Sequence, residues 1–224
     1  MRIHRIFLVP LVCALLASCS LISLHGNTEV TGEATPASYT QNKNSHGLVL
    51  LDARWGRQWS CGKFQNAELR GFAFDRLPLS SRANEAPADL TISTSRSLIN
   101  NPRFQSYALL VQPGEYALTG STIKVAQSVS EVGYLTLGRA DLVRDDEPVG
   151  GTFKVAAGEA VYIGNFALDC QLKVPTLWRY YTEGKDGFRS HLADYQAKYP
   201  FLDLRNVTYR LFETKEIGRP YALE

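Results

Sequence analysis

The side chains best suited to nucleophilic, acid–base or metal chemistry in this chain are four cysteines and four histidines. The histidines, His4, His25, His46 and His191, are scattered. No HExxH pair and no Cys/His cluster gathers the several ligands that a metal site requires. A Ser-His-Asp relay would have to run through His191 alone, and no GxSxG elbow presents a serine. The acidic run Asp145-Asp146-Glu147 lacks the EF-hand loop pattern and reads as a solvated turn between strands. GGTFKVAAG has neither GxGxxG spacing nor a following helix, so it is no phosphate cradle. Carboxylate pairs for glycoside hydrolysis are defined by approach in space, and nothing in the spacing nominates one. No catalytic residue, metal site or cofactor site is assigned.

The cysteines are Cys13, Cys19, Cys61 and Cys170. The first two belong to a patterned N-terminus: Arg2 and Arg5, then an uncharged apolar run from Ile6 to Leu16 interrupted by Pro10. That run is shorter than the roughly 20 apolar residues a spanning helix needs; a basic start, a short apolar run and a small-residue exit mark a secretory leader. The exit, Leu16-Ala17-Ser18-Cys19, resembles the lipobox of bacterial lipoproteins. The resemblance implies cleavage after residue 18, a diacylglyceryl group on the Cys19 sulfur and an acyl group on its freed amine. The step needs a cysteine because a thiolate is the nucleophile. At about 0.8 kcal/mol per buried CH2, one chain holds a protein marginally, whereas two or three anchor it firmly to a membrane. Ser20, where aspartate would favour inner-membrane retention, favours the periplasmic face of the outer membrane.

The formal charge is +2, from 24 basic and 22 acidic residues, and it disappears with Arg2 and Arg5 when the leader is removed. Nothing in a formally neutral body predicts a grip on nucleic acid, which requires many clustered Lys and Arg. Cys61 and Cys170 then remain. In the oxidising compartment that export implies, they read as a disulfide closing a long loop, worth on the order of 4–5 kcal/mol in the chain-entropy account. The competing readings are a reactive thiol or a metal ligand, although neither cysteine lies in a CxxC or beside a histidine.

Aromatic side chains gather near these cysteines. Trp55 and Trp59 flank the basic turn Arg54-x-x-Arg57 ahead of Cys61, and Trp178-Arg179-Tyr180-Tyr181 follows Cys170. A disulfide would bring both groups to one end of the domain. Trp55, Trp59, Trp178 and Tyr181 are therefore either a stacking platform for glycan or a protein partner, or the packing around the disulfide.

The elements that must hold these residues read as strands. Residues 19–46 are rich in Ser, Thr, Asn and Gly and are expected to be a flexible tether carrying the lipidated cysteine. The folded body is expected over 47–224 as one domain. GLVLLDARW, NAELRGFAFDRLP and DLTIST are strand candidates. Pro113-Gly114 and Ala157-Gly158 each separate two strand-like runs and are expected to close hairpins. Phe188, Leu192 and Tyr195 are spaced for one C-terminal helix ending before Pro200, and NVTYRLFETK follows as a closing strand. Short strands punctuated by Gly and Pro predict a mainly β fold, an antiparallel β-sandwich with one helix.

PGEYAL and GTFKVAAGEAVYIGNFAL resemble PEGA-type and related β-sandwich modules of bacterial envelope proteins, over residues 106–172. The resemblance implies an interaction or scaffolding domain and transfers no catalytic residue. The expectation is a non-enzymatic, lipid-anchored envelope protein that binds an envelope protein or a cell-wall glycan. Its alternatives are a glycan- or peptidoglycan-acting enzyme or inhibitor with an aromatic surface, and an accessory lipoprotein of a secretion machine.

Overall fold

Apolar residues alternating along the strands close a core between two sheets, and a second core lies under a helical layer. The computed structural model describes residues 28–79, 86–94, 104–145, 147–180 and 184–213. The expected leader, Cys19, Asp146, Tyr181 and the end of the expected closing strand lie outside these residues. In chain order the elements are β1 (Thr28–Val30), α1 (Pro36–Asn42), β2 (Gly47–Ala53), β3 (Gln58–Cys61), β4 (Phe64–Arg76) and β5 (Leu90–Thr94). There follow β6 (Gln105–Val111), β7 (Gly114–Ala126), β8 (Val132–Leu137), α2 (Arg139–Leu142), β9 (Val143–Arg144) and β10 (Glu147–Pro148). The last are β11 (Thr152–Val155), β12 (Ala160–Asp169), β13 (Thr176–Tyr180), α3 (Gly184–Lys198) and β14 (Val207–Tyr209).

The fold is the expected mainly-β sandwich. One sheet runs β1-β5-β4-β7-β11, with β3 also on β4 and β8 also on β7. The other runs β13-β12-β2-β6, with β14 on β12. Pairing is antiparallel except at β12, which runs parallel to β2 and to β14. Leu69, Phe72, Phe74 and Ile123 of the first sheet meet Val49, Leu51, Ile163 and Phe166 of the second. Phe72 stacks on Phe166 at 5.0 Å, and each buried aromatic contributes roughly 1.5–3 kcal/mol relative to exposure.

Both expected hairpins are corrected. β6 pairs with β2 in the second sheet, whereas β7 pairs with β4 in the first, so Pro113-Gly114 carries the chain from one sheet to the other. Ala157-Gly158 does the same between β11 and β12. A tight turn fixes a change of direction; which strand the next one joins depends on tertiary pairing, and both runs flanking each turn have apolar faces for the common core. A two-residue hairpin does form between β3 and β4, around Gly62-Lys63. Gly62 has φ +59°, and a Cβ there would stand 2.5 Å from the Leu172 carbonyl oxygen, so only glycine fits against the segment after Cys170.

The expected tether is also shorter than residues 19–46. β1 pairs with β5, the Thr31 N–H donates to the Thr91 carbonyl, and the Ala34 N–H donates to that of Ala108. These residues order by adding backbone to two sheet edges, which needs few apolar side chains. α1 begins at a capping box: the Ser38 N–H donates to Thr35 Oγ1 at 3.1 Å, the Thr35 N–H donates to Ser38 Oγ at 2.9 Å, and Pro36 opens the helix. α3 contains Phe188 and Tyr195 as expected, both buried against the outer face of the second sheet with Leu48, Leu50 and Tyr162. No helix among the described residues is long and apolar enough to cross a membrane.

Candidate functional site

Cys61 and Cys170 form the expected disulfide, joining the end of β3 to the residue after β12. The aromatic group around it does not form one platform. Trp55 is buried between the sheets, stacked on Phe72 at 5.8 Å, and its indole N–H donates to the Tyr107 hydroxyl at 2.7 Å. Trp178 is half-buried on the second sheet opposite Ala167, on the face away from its core-facing neighbour Leu177. Tyr181 is not among the described residues. Trp59 alone of the three described is well exposed, at 57 %. The basic turn divides likewise: the Arg54 N–H continues β2 by donating to the Phe166 carbonyl, whereas the Arg57 side chain turns to the first sheet.

Strand register builds the surface around Trp59. Trp59 lies opposite Asn66, Asn66 opposite Ala126, and Ala126 opposite Val132, forming one row across β3, β4, β7 and β8. Two residues along, Glu68 lies opposite Lys124 and Lys124 opposite Tyr134. Arg57, just before β3, extends this second row: its Nε donates to Glu68 Oε1 at 2.7 Å. Paired residues share a sheet face, and Leu69, Ile123 and Val125, at the alternate positions, face the core. Trp59, Glu68, Lys124 and Tyr134 therefore share the outer face.

Arg70 occupies the extra position of a β-bulge between Leu69 and Gly71, and its Nη2 donates to Glu68 Oε2 at 2.5 Å. Glu68 is thus buried between two guanidiniums. The Arg57 guanidinium also lies over the Trp59 ring, 5.3 Å from its centroid. Arg70 retains buried Nε and Nη1 atoms without a hydrogen-bond partner. The arrangement holds three cations against one carboxylate beside two exposed rings. Among the described residues it pairs no nucleophile with a base. Glu68, Arg70, Lys124 and Tyr134 were missed from sequence because only pairing register brings them to Trp59; the visible signal was polar alternation at Glu68 and Arg70.

A second polar cluster lies beneath α3. Ser106 Oγ donates to Asp52 Oδ1 at 2.6 Å, and the Tyr162 hydroxyl lies 3.2 Å from Asp52 Oδ2 and 2.5 Å from Asn165 Oδ1. His191 of α3 stacks on Tyr162 at 6.5 Å, so it packs over this cluster. Burial pushes the Asp52 carboxyl above its ordinary pKa, against the opposing effects of Ser106, His191, Tyr195 and Tyr162. Asp52 is 1 % exposed, and its cluster lies beneath α3. On the first sheet Asp75 is similarly enclosed: Arg139 Nε donates to Oδ2 at 2.7 Å and Thr119 Oγ1 at 2.6 Å. Burial acts to raise its pKa, but these bonds and the Asp89 N–H together outweigh it and hold the carboxyl low.

A cleft of about 490 Å³ lies near the Pro113 turn, lined by Arg76, Asp89, Gln112 and Tyr116 among others. Arg76 Nη1 donates to Gln112 Oε1 and the Arg76 N–H to Asp89 Oδ2, so these groups already engage one another. Among the described residues no three His, Cys, Asp or Glu converge as metal ligands. Asp145 and Glu147 of the acidic run lie around the short β9–β10 pair. No protein-family model matches the chain, and comparison with curated proteins and with solved structures finds no match.

Proposed function

We propose that this chain is a non-enzymatic binding module of the bacterial envelope, carried through the export pathway and held to a membrane by lipid on Cys19. Its working surface is the outer face of the β3-β4-β7-β8 sheet around Trp59. One observation carries this reading. Trp59 is exposed on a paired strand, with Arg57 held over it by Glu68, whereas Asp52 and Asp75 are enclosed and engaged. An exposed indole beside a restrained guanidinium is the composition of a binding anchor, and a site on strands keeps its geometry better than one on loops. The disulfide fixes the end of β3, two residues beyond Trp59. The test is crosslinking of intact cells expressing the full chain. Wild type should recover a discrete envelope component, and Trp59→Ala, with unchanged thermal stability, should lose it. Equal recovery with Trp59→Ala, or turnover of a cell-wall substrate by the purified chain, would overturn the reading.

A further inference from the structure

Given that binding face, we propose that its ligand is a carboxylate-bearing glycan strand lying across β3, β4, β7 and β8, with Arg57 and Lys124 reading the carboxylates and Trp59 and Tyr134 the sugar rings.

The charge pattern supplies the first argument. The second row reads Arg57, Glu68, Lys124, Tyr134, and Arg70 adds a further cation on Glu68. Glu68 accepts from Arg57 Nε and Arg70 Nη2, which leaves the terminal Nη1 and Nη2 of Arg57 without a partner among the described residues. The Arg57 side chain is 40 % exposed. A planar pair of N–H donors on a partly exposed guanidinium is suited to take a carboxylate through two bonds. The bond from Nε and the ring beneath hold the guanidinium in place beforehand, so little freedom is lost when an anion arrives. Lys124 makes no ion pair with Glu68 although it lies opposite, leaving a second cation on the face. The face therefore has a net positive charge and complements an anion.

The rings supply the second argument. Trp59 and Tyr134 are exposed at opposite ends of the four-strand face. Three inter-strand steps separate their strands, about 14 Å. That span fits an extended polymer of several sugar rings better than a single small anion. Flat aromatic side chains accept the apolar faces of pyranose rings, and a carboxylate between them falls within reach of the cations. An extended peptide would instead be expected to add to a sheet edge through its backbone, whereas these side chains stand on the face.

The test is binding of the full chain, purified in detergent, to immobilised polygalacturonate, to sacculi stripped of their stem peptides, to neutral dextran and to polyglutamate. Polygalacturonate binding would assign uronate carboxylates, and binding of stripped sacculi alone would assign carboxylates carried on amino-sugar rings; either supports the proposal. Affinity should fall with rising salt, and by roughly tenfold or more in Arg57→Gln, Trp59→Ala and Tyr134→Ala, all at exposed positions and checked by thermal melting. Dextran bound as well as the acidic glycans would remove the carboxylate, and polyglutamate bound as well would remove the sugar; either overturns the inference. Failure of both acidic glycans, with Trp59-dependent capture of an envelope protein retained, would overturn it while leaving the binding-face reading standing.

Discussion

At the scale of single residues, identical chemical groups have opposite roles because of what surrounds them. Glu68, Asp52 and Asp75 are all buried carboxylates. Glu68 lies under two guanidiniums and orients Arg57 toward solvent, whereas Asp52 has hydroxyl partners and the helical His191 around it. The Asp52 carboxyl, raised by burial, holds its proton to higher pH in the folded chain than in the unfolded one. Its favourable contribution is therefore complete below the unfolded carboxylate pKa and is lost as pH rises through the folded one. Asp52→Asn keeps an acceptor for Ser106 and carries no charge. It should raise Tm at neutral pH, by about 2–4 °C for each kcal/mol recovered, with the gain vanishing at acid pH. Thermal melts across pH decide this. A lower Tm for Asp52→Asn at neutral pH would mean that the anion is needed beneath α3.

At the scale of elements, local chemistry was readable where it acts within a few residues and unreadable where distant strands decide. Phe188, Leu192 and Tyr195 announced α3, because the spacing of an apolar face is local. The Pro113-Gly114 and Ala157-Gly158 turns were visible, yet each joins two sheets, since strand partners are chosen by a core assembled from the whole chain. The polar segment holding β1 and α1 reads as tether because composition counts apolar side chains and ignores backbone donors docking on a sheet edge. Thr35-Pro36 with Ser38 was the available signal for α1. Thr35→Ala removes the cap and should cost about 1 kcal/mol of local stability, read as faster hydrogen exchange of amides in α1. Unchanged exchange would show that docking of the segment, rather than the cap, holds this helix.

At the scale of the molecule, the sandwich sorts aromatic residues that lie near one another in sequence onto different surfaces. Trp55 and Trp59 are four residues apart, one between the sheets and one on an outer face, while Trp178 belongs to the opposite sheet. The disulfide was legible because only Cys61 and Cys170 remained once the proposed leader and its proposed anchor were set aside. The proposed binding face was not, since it depends on register across four strands. With 109 residues of separation, the bond should contribute about 4–5 kcal/mol by restricting the unfolded chain. Reduction, or Cys61→Ser with Cys170→Ser, should lower the urea midpoint accordingly, and an unchanged midpoint would contradict that contribution. The central claim, that the face around Trp59 is the working surface, is tested most directly by comparing binding of the recovered envelope component to Trp59→Ala and Trp178→Ala chains. The account predicts a loss of roughly tenfold or more for Trp59→Ala and little change for Trp178→Ala; the reverse order would contradict it.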